Sequence, residues 1–155
     1  MVLLQKELNV EPMGLRDLFE VVAIERQSYH KPWSLFLFLN ELKDNEYADY
    51  LVLKNENTVI GYGGMWNFYQ YSHITNLAVA PEFRQKGYGT VILKALLKKA
   101  EDKGVKRVTL EVRTTNEIAL KMYGKLGFES VGIKKKYYGD EDAVLMSLNS
   151  LKDFH

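Results

Sequence analysis

The segment FRQKGYGT, Phe83 to Thr90, sets Arg84 and Lys86 beside Gly87 and Gly89, just ahead of a long apolar-periodic run. Glycines let a backbone turn tightly and approach a ligand with no side chain in the way. The first amides of a helix that follows have no acceptors within it and carry the positive end of its dipole. Such a place suits an anion, a pyrophosphate above all. A plain strand-to-helix turn is the alternative. The segment lacks the Gly-Lys-Ser/Thr ending of a Walker loop, and its glycine spacing and mid-chain position are wrong for a dinucleotide fingerprint.

A second group lies in LEVRTTNEIALKMYGKLGF. Alternation puts Glu111 on a strand face with Thr109 and Arg113, opposite Val108, Leu110 and Val112. Taken singly, Glu111 reads as a solvent-facing strand residue, Tyr123 as a boundary aromatic and Asn116 as a helix-start residue.

These residues need elements to position them. LQKELNV can form a first strand, and Leu15, Leu18, Phe19, Val22 and Ala23 follow at helical spacing. A second helix starts near Trp33-Ser34, with Leu35, Phe38, Leu39 and Leu42 on one face. YLVLK and TVIGYGGMWNF read as strands joined by a turn at Asn55-Glu56-Asn57, the second made less regular by its glycines. SHITNLAVA is a strand ended by Pro81, and a helix runs from the glycine-rich segment to about Lys103, with Gly104 ending it. KRVTLEVR is a further strand. Thr114 and Glu117 fit a capping box for a helix that runs to Leu126 and stops at Gly127. FESVGIKKKYY and AVLMSL close the chain as a strand pair. The order is β-α-α-β-β-β-α-β-α-β-β, and the central strand-helix-strand must be a right-handed crossover with parallel strands. The fold class is mixed α/β, a sheet with helices packed on its faces.

With 155 residues and no internal repeat or linker, residues 1–155 read as one domain. Apolar content of 46% and charged content of 26% are those of a soluble globular protein. A formal charge of +1 argues against binding nucleic acid by neutralising many phosphates. The chain has no cysteine, which excludes disulfides, thiolate metal sites and a cysteinyl intermediate. His30, His73 and His155 are too scattered to suggest a metal site. The N-terminus lacks a signal peptide's apolar stretch and no run reaches the length of a membrane span, so the expected compartment is the cytoplasm.

LAVAPEFRQKGYGTVILKALLKKA resembles the acetyl-coenzyme A signature of the GNAT acetyltransferase superfamily, Arg/Gln-x-x-Gly-x-Gly/Ala after a strand and a proline turn. The resemblance continues to the C-terminus. It implies a mostly antiparallel central sheet with a parallel strand pair at the cofactor cleft and helices on both faces. It also implies acetyl-CoA as donor and CoA as product. Leu77, Ala78 and Val79 would then contact the acyl arm. Gln85, Lys86, Gly87, Tyr88, Gly89 and Thr90 would wrap the diphosphate, with Arg84 beside them.

EVRTTN followed by MYGKLGF resembles the RimI-type protein N-terminal acetyltransferases. That resemblance implies Glu111 as general base, Tyr123 as general acid and Asn116 as a cofactor contact. KPWS and KKYYGDEDAVLMSL resemble segments near the peptide groove, which makes Trp33, Tyr137 and Tyr138 candidate substrate contacts. The loop from Tyr138 to Ala143 is shorter than the family pattern, which bears on peptide selectivity.

The chemistry suits these residue types. A peptide α-amine has a pKa of about 8 and needs only a modest base, and a phenol near 10 can protonate the departing thiolate. The N–H of Val79 is placed by the resemblance to meet the oxyanion. Without a cysteine, direct transfer in a ternary complex is expected. His73, on a strand face with Thr75, Leu77 and Val79, is a rival base. Lys134-Lys135-Lys136 with Tyr137-Tyr138 reads as a solvated strand end by a peptide groove rather than a nucleic-acid patch. The acceptor implied is the N-terminal alanine of a small-subunit ribosomal protein. A polyamine, an aminoglycoside or a lysine side chain is the alternative, and a coenzyme-binding module without turnover the third. No membrane partner is implied.

Overall fold

A computed structural model describes residues 8–154 of the chain. Its strands are β1 (Leu8–Pro12), β2 (Ala48–Asn55), β3 (Thr58–Phe68), β4 (Tyr71–Val79), β5 (Arg107–Arg113), β6 (Glu129–Lys134) and β7 (Ala143–Leu148). Its helices are α1 (Leu18–Ser28), α2 (Leu35–Asp44), α3 (Tyr88–Asp102) and α4 (Glu117–Lys125). Short 3-10 turns cover Leu15–Asp17, Pro81–Phe83 and Leu151–Phe154. The element order is the one expected from the sequence. The first residues of LQKELNV, and His155, lie outside the described residues.

The strands hydrogen-bond in the order β1-β2-β3-β4-β5-β7-β6. β4 and β5 run parallel, as the crossover through α3 requires, while β1–β2, β5–β7 and β6–β7 are antiparallel. This is the expected mixed α/β sheet. Among the described residues no helix is long and apolar enough to cross a membrane.

The described residues divide into two compact units, one of residues 8–65 with Asn76–Leu96 and one of Trp66–Thr75 with residues 97–154. In the first unit, Leu18, Val21, Val22 and Ile24 of α1 pack with Phe38, Tyr50, Val52, Val59 and Tyr62. The buried stripe of α1 is turned from the expected one: Leu15 and Phe19 are exposed, whereas Val21, Ile24 and Glu25 are buried. Both stripes fit a helical period, and only packing chose between them. Ser34 caps α2 by accepting the Leu37 N–H at 3.1 Å.

β3 is unbroken despite its glycines because its neighbours leave no room there for a side chain. A Cβ at Gly63 would come within 2.9 Å of Ile92 and Leu96, and one at Gly64 would overlap the Tyr50 ring. That ring cannot swing away freely, since the Tyr50 hydroxyl donates to Glu41 Oε1 at 2.5 Å. Gly64→Ala should therefore cost about 1–3 kcal/mol through overpacking, read as a lower urea midpoint at unchanged slope. Gly124→Ala on α4, where an added methyl meets nothing within 4 Å, is the control expected to lose no stability.

In the second unit the antiparallel ladder pairs Val108, Leu110 and Val112 of β5 with Leu148, Met146 and Val144 of β7, all buried. β7 thus lies between β5 and β6. The cap of α4 differs from the capping box expected at Thr114. Asn116 is the N-cap, its Oδ1 accepting the Ala119 N–H at 3.2 Å. Thr114 instead donates its N–H to the Asp142 carbonyl at 3.3 Å. Gly127, at φ +101°, takes the left-handed conformation just past the helix, as its place in the sequence suggested.

Candidate active site

In the second unit, strand alternation puts Thr109 and Glu111 on one face of β5, and the parallel register sets His73 of β4 beside Thr109. The consequence is a side-chain cluster. His73 Nε2 lies 2.6 Å from Glu111 Oε2, and His73 Nδ1 lies 2.7 Å from Thr109 Oγ1. Lys134 Nζ donates to Glu111 Oε1 at 2.7 Å. The Glu111 side chain is only 9% exposed, so it is not the solvated strand residue that alternation alone would suggest.

Neighbouring cations explain why Lys134 turns toward Glu111. Arg113 and Lys134 both pair with Ala143 of β7 and so stand in one row across the sheet. Arg113 is already held by Asp140 at 3.1 Å and Glu141 at 3.4 Å, and its guanidinium lies 4.3 Å from the centre of the Tyr138 ring. Lys134 reaches diagonally to Glu111 instead. Burial pushes the Glu111 carboxyl up, but hydrogen bonds and charge from His73 and Lys134 outweigh it and hold the group below the usual carboxylate range. The same pair raises the Lys134 ammonium. Tyr137 is raised by burial and then by the charge of Glu111.

Tyr123 is buried on α4, with its ring 5.7 Å from that of Phe128. Asn116 spends its side-chain oxygen on the helix cap. Tyr137 is half exposed and packs edge-on to Tyr138 at 4.9 Å, with Lys134 Nζ 5.3 Å from its ring centre. Glu111, His73, Lys134 and Tyr137 therefore form one cluster.

In the first unit, the other proposed residues lie on the end of β4 and the turn into α3. The Tyr29 hydroxyl donates to the Leu77 carbonyl at 2.9 Å and accepts the Leu77 N–H at 3.2 Å. Burial pushes that phenol up to about 12, so it stays protonated and keeps both bonds. Arg84 is folded back, with Nε donating to the Val79 carbonyl at 2.8 Å and Nη2 to Ser28 Oγ at 3.0 Å. It braces the strand end rather than adding free charge to the loop.

Gln85 and Gly87 take left-handed conformations at φ 62° and 85°. A Cβ at Gly87 would meet nothing within 4 Å, so conformation rather than room favours glycine there. The first turn of α3 carries no acidic residue. A left-handed turn leading into the start of α3 presents backbone amides of the kind that suit an anion such as a diphosphate. Lys86 sits 5.8 Å from the Phe83 ring centre.

Trp33, expected at the peptide, packs against the core, 5.3 Å from Phe38 and 6.4 Å from Tyr50. Its backbone N–H donates to Glu25 Oε2 at 2.9 Å. Glu25, with no role in the sequence reading, is buried and also accepts from Asn76 Nδ2 at 3.2 Å and from the Tyr62 hydroxyl. A signal for Glu25 existed, since it falls on the helical stripe of Leu18 and Val22. Tyr29 had none, and the lysine run did not single out Lys134. Among the described residues no group of three His, Cys, Asp or Glu could hold a metal ion.

Comparison with known proteins bears on the family and the fold. A relative from Bacillus subtilis, named as a candidate ribosomal protein bS18-alanine N-acetyltransferase, is 37% identical over 139 residues, covering 88% of this chain and 92% of its own. An N-alpha-acetyltransferase from Sulfurisphaera tokodaii is 31% identical over 156 residues, covering 92% and 93%. The crystal structure of a ribosomal-protein alanine N-acetyltransferase from Escherichia coli superposes with a TM-score of 0.83 at 27% identity, covering 92% of this chain and 93% of the other. The model of the acetyltransferase (GNAT) family matches residues 15–128, and the chain belongs to that family of acetyltransferase enzymes.

Proposed function

We propose that the protein transfers an acetyl group from acetyl-CoA to the N-terminal α-amine of a protein, and that its acceptor is the N-terminal alanine of a small-subunit ribosomal protein. The observation that carries this reading is the nearly buried Glu111 carboxylate, fixed between His73 and Lys134 on one strand face. The names of the relatives from Bacillus subtilis and Sulfurisphaera tokodaii support an α-amine acceptor. A ribosomal acceptor implies a cytoplasmic enzyme.

Acetyl-CoA, when bound, supplies the acetyl group as an activated thioester. The amides of Gln85 to Thr90 hold the diphosphate, and Leu77, Ala78 and Val79 orient the acyl arm. Tyr29 and Arg84 fix the backbone of β4 for that task. The Val79 N–H is the donor for the carbonyl oxygen. Glu111 receives the proton of the α-amine, directly or through water, and the Tyr123 hydroxyl holds the proton that the leaving sulfur takes up. Asn116 contributes through the start of α4, which its side chain caps. Tyr137 and Tyr138 are proposed to grip the peptide.

The test is release of free CoA with a panel of acceptors: short peptides differing in their first residue, spermidine, an aminoglycoside and free lysine. The alanine-initial peptide should be turned over fastest. Turnover of spermidine with no peptide accepted would overturn the reading.

A further inference from the structure

Both carboxylate oxygens of Glu111 are taken, Oε2 by His73 and Oε1 by Lys134. Each oxygen keeps a second lone pair, but Lys134 already makes the ammonium contact that an incoming amine needs, so the two compete for the carboxylate. The two partners are not equivalent. His73 projects from a strand, and its other ring nitrogen is tied to Thr109 at 2.7 Å. Lys134 ends β6, its side chain is 46% exposed, and four rotatable bonds let it move. It also has a second seat, for its Nζ is already 5.3 Å from the centre of the Tyr137 ring.

We propose that Lys134 is a displaceable ammonium occupying the acceptor's place on Glu111, so that its departure sets acceptor affinity and frees the base. This rests on the reading of Glu111 as the proton acceptor. Lys134 is itself a poor acetyl acceptor, because the carboxylate holds its proton above the ordinary lysine range, whereas an α-ammonium titrates near 8. The site thus carries an amine of its own that stays unreacted while a less basic one is consumed.

The groups that face Glu111 are His73 from β4, Lys134 from β6 and Tyr137 from the turn after β6; β7 offers Leu145 opposite it. Removing the Lys134 charge leaves one cationic partner fewer. Glu111 should then bind its proton more tightly, and its titration should move to higher pH.

Lys134→Met keeps the length and removes the charge; Lys134→Arg keeps the charge. Titration of the Glu111 carboxyl by carbon-13 NMR, which needs no turnover, should show an upward shift of the midpoint in Lys134→Met and not in Lys134→Arg. With an alanine-initial peptide, KM should fall about two- to five-fold in Lys134→Met, the scale of a partly exposed ion pair. Added salt should raise the KM of Lys134→Met, whose acceptor contact is screened, and change that of the wild-type protein less, since there one ammonium replaces another. An unmoved Glu111 midpoint, or a KM that rises or stays constant in Lys134→Met while the wild-type protein turns over, overturns the inference. Absence of turnover by the wild-type protein with every peptide overturns the functional reading beneath it.

Discussion

Glu111→Gln should cut kcat by about 10²–10⁴-fold, the range for loss of a positioned general base, while acetyl-CoA affinity stays within about two-fold of wild type on the uniform-binding criterion. Glutamine keeps the shape of the side chain and one oxygen acceptor, so the His73 or the Lys134 contact can survive. What it cannot do is take a proton from an amine. The loop proposed to hold the diphosphate precedes α3, whereas Glu111 stands on β5. Calorimetric titration of acetyl-CoA and steady-state kinetics together check the split. If His73 were the base instead, Glu111→Gln would retain substantial turnover. That outcome would move the role from Glu111 to its neighbour.

The second large effect is structural. Glu25→Ala should destabilise the protein by about 3–5 kcal/mol, since each buried donor left unsatisfied costs about 1–3 kcal/mol. Three donors converge on this carboxylate: the Tyr62 hydroxyl, Asn76 Nδ2 and the Trp33 backbone N–H. Alanine leaves all three without their acceptor in a place closed to water, and it opens a cavity beside Tyr62. Glu25→Gln should cost less, since one oxygen still accepts. Urea unfolding followed by fluorescence and by circular dichroism would check the order Ala worse than Gln. A loss below about 1 kcal/mol for alanine would mean that water or another group already satisfies these donors.

Much of the candidate site was legible because its evidence is local. Glycines between a strand and a helix read as a tight turn, and Gln85 and Gly87 do take left-handed conformations there. Alternation put Glu111 on the face opposite Val108 and Leu110, which is where it stands. His73 was legible as a residue with acid–base capacity but not as a partner. Its contact with Glu111 exists only because β4 and β5 pair in the register His73↔Thr109. Arg84 looked like charge for the loop. Its contact with Val79 depends on how the chain folds back over five residues, which composition does not encode. Trp33 carried a family likeness to a substrate contact, whereas in this structure it closes an aromatic cluster with Phe38 and Tyr50.

By itself the sequence determined the element order, the strand-helix-strand crossover that makes β4 and β5 parallel, and the residue types available for acyl transfer. Each of these follows from periodicity, punctuation by glycine and proline, and the chirality of the backbone. Only the tertiary structure decided that β7 enters the sheet between β5 and β6, which face of α1 is buried, and that Asn116 rather than Thr114 caps α4. It also decided which of three adjacent lysines meets Glu111. These choices lie between alternatives of nearly equal local energy. They are settled by pairing and packing with residues distant in sequence.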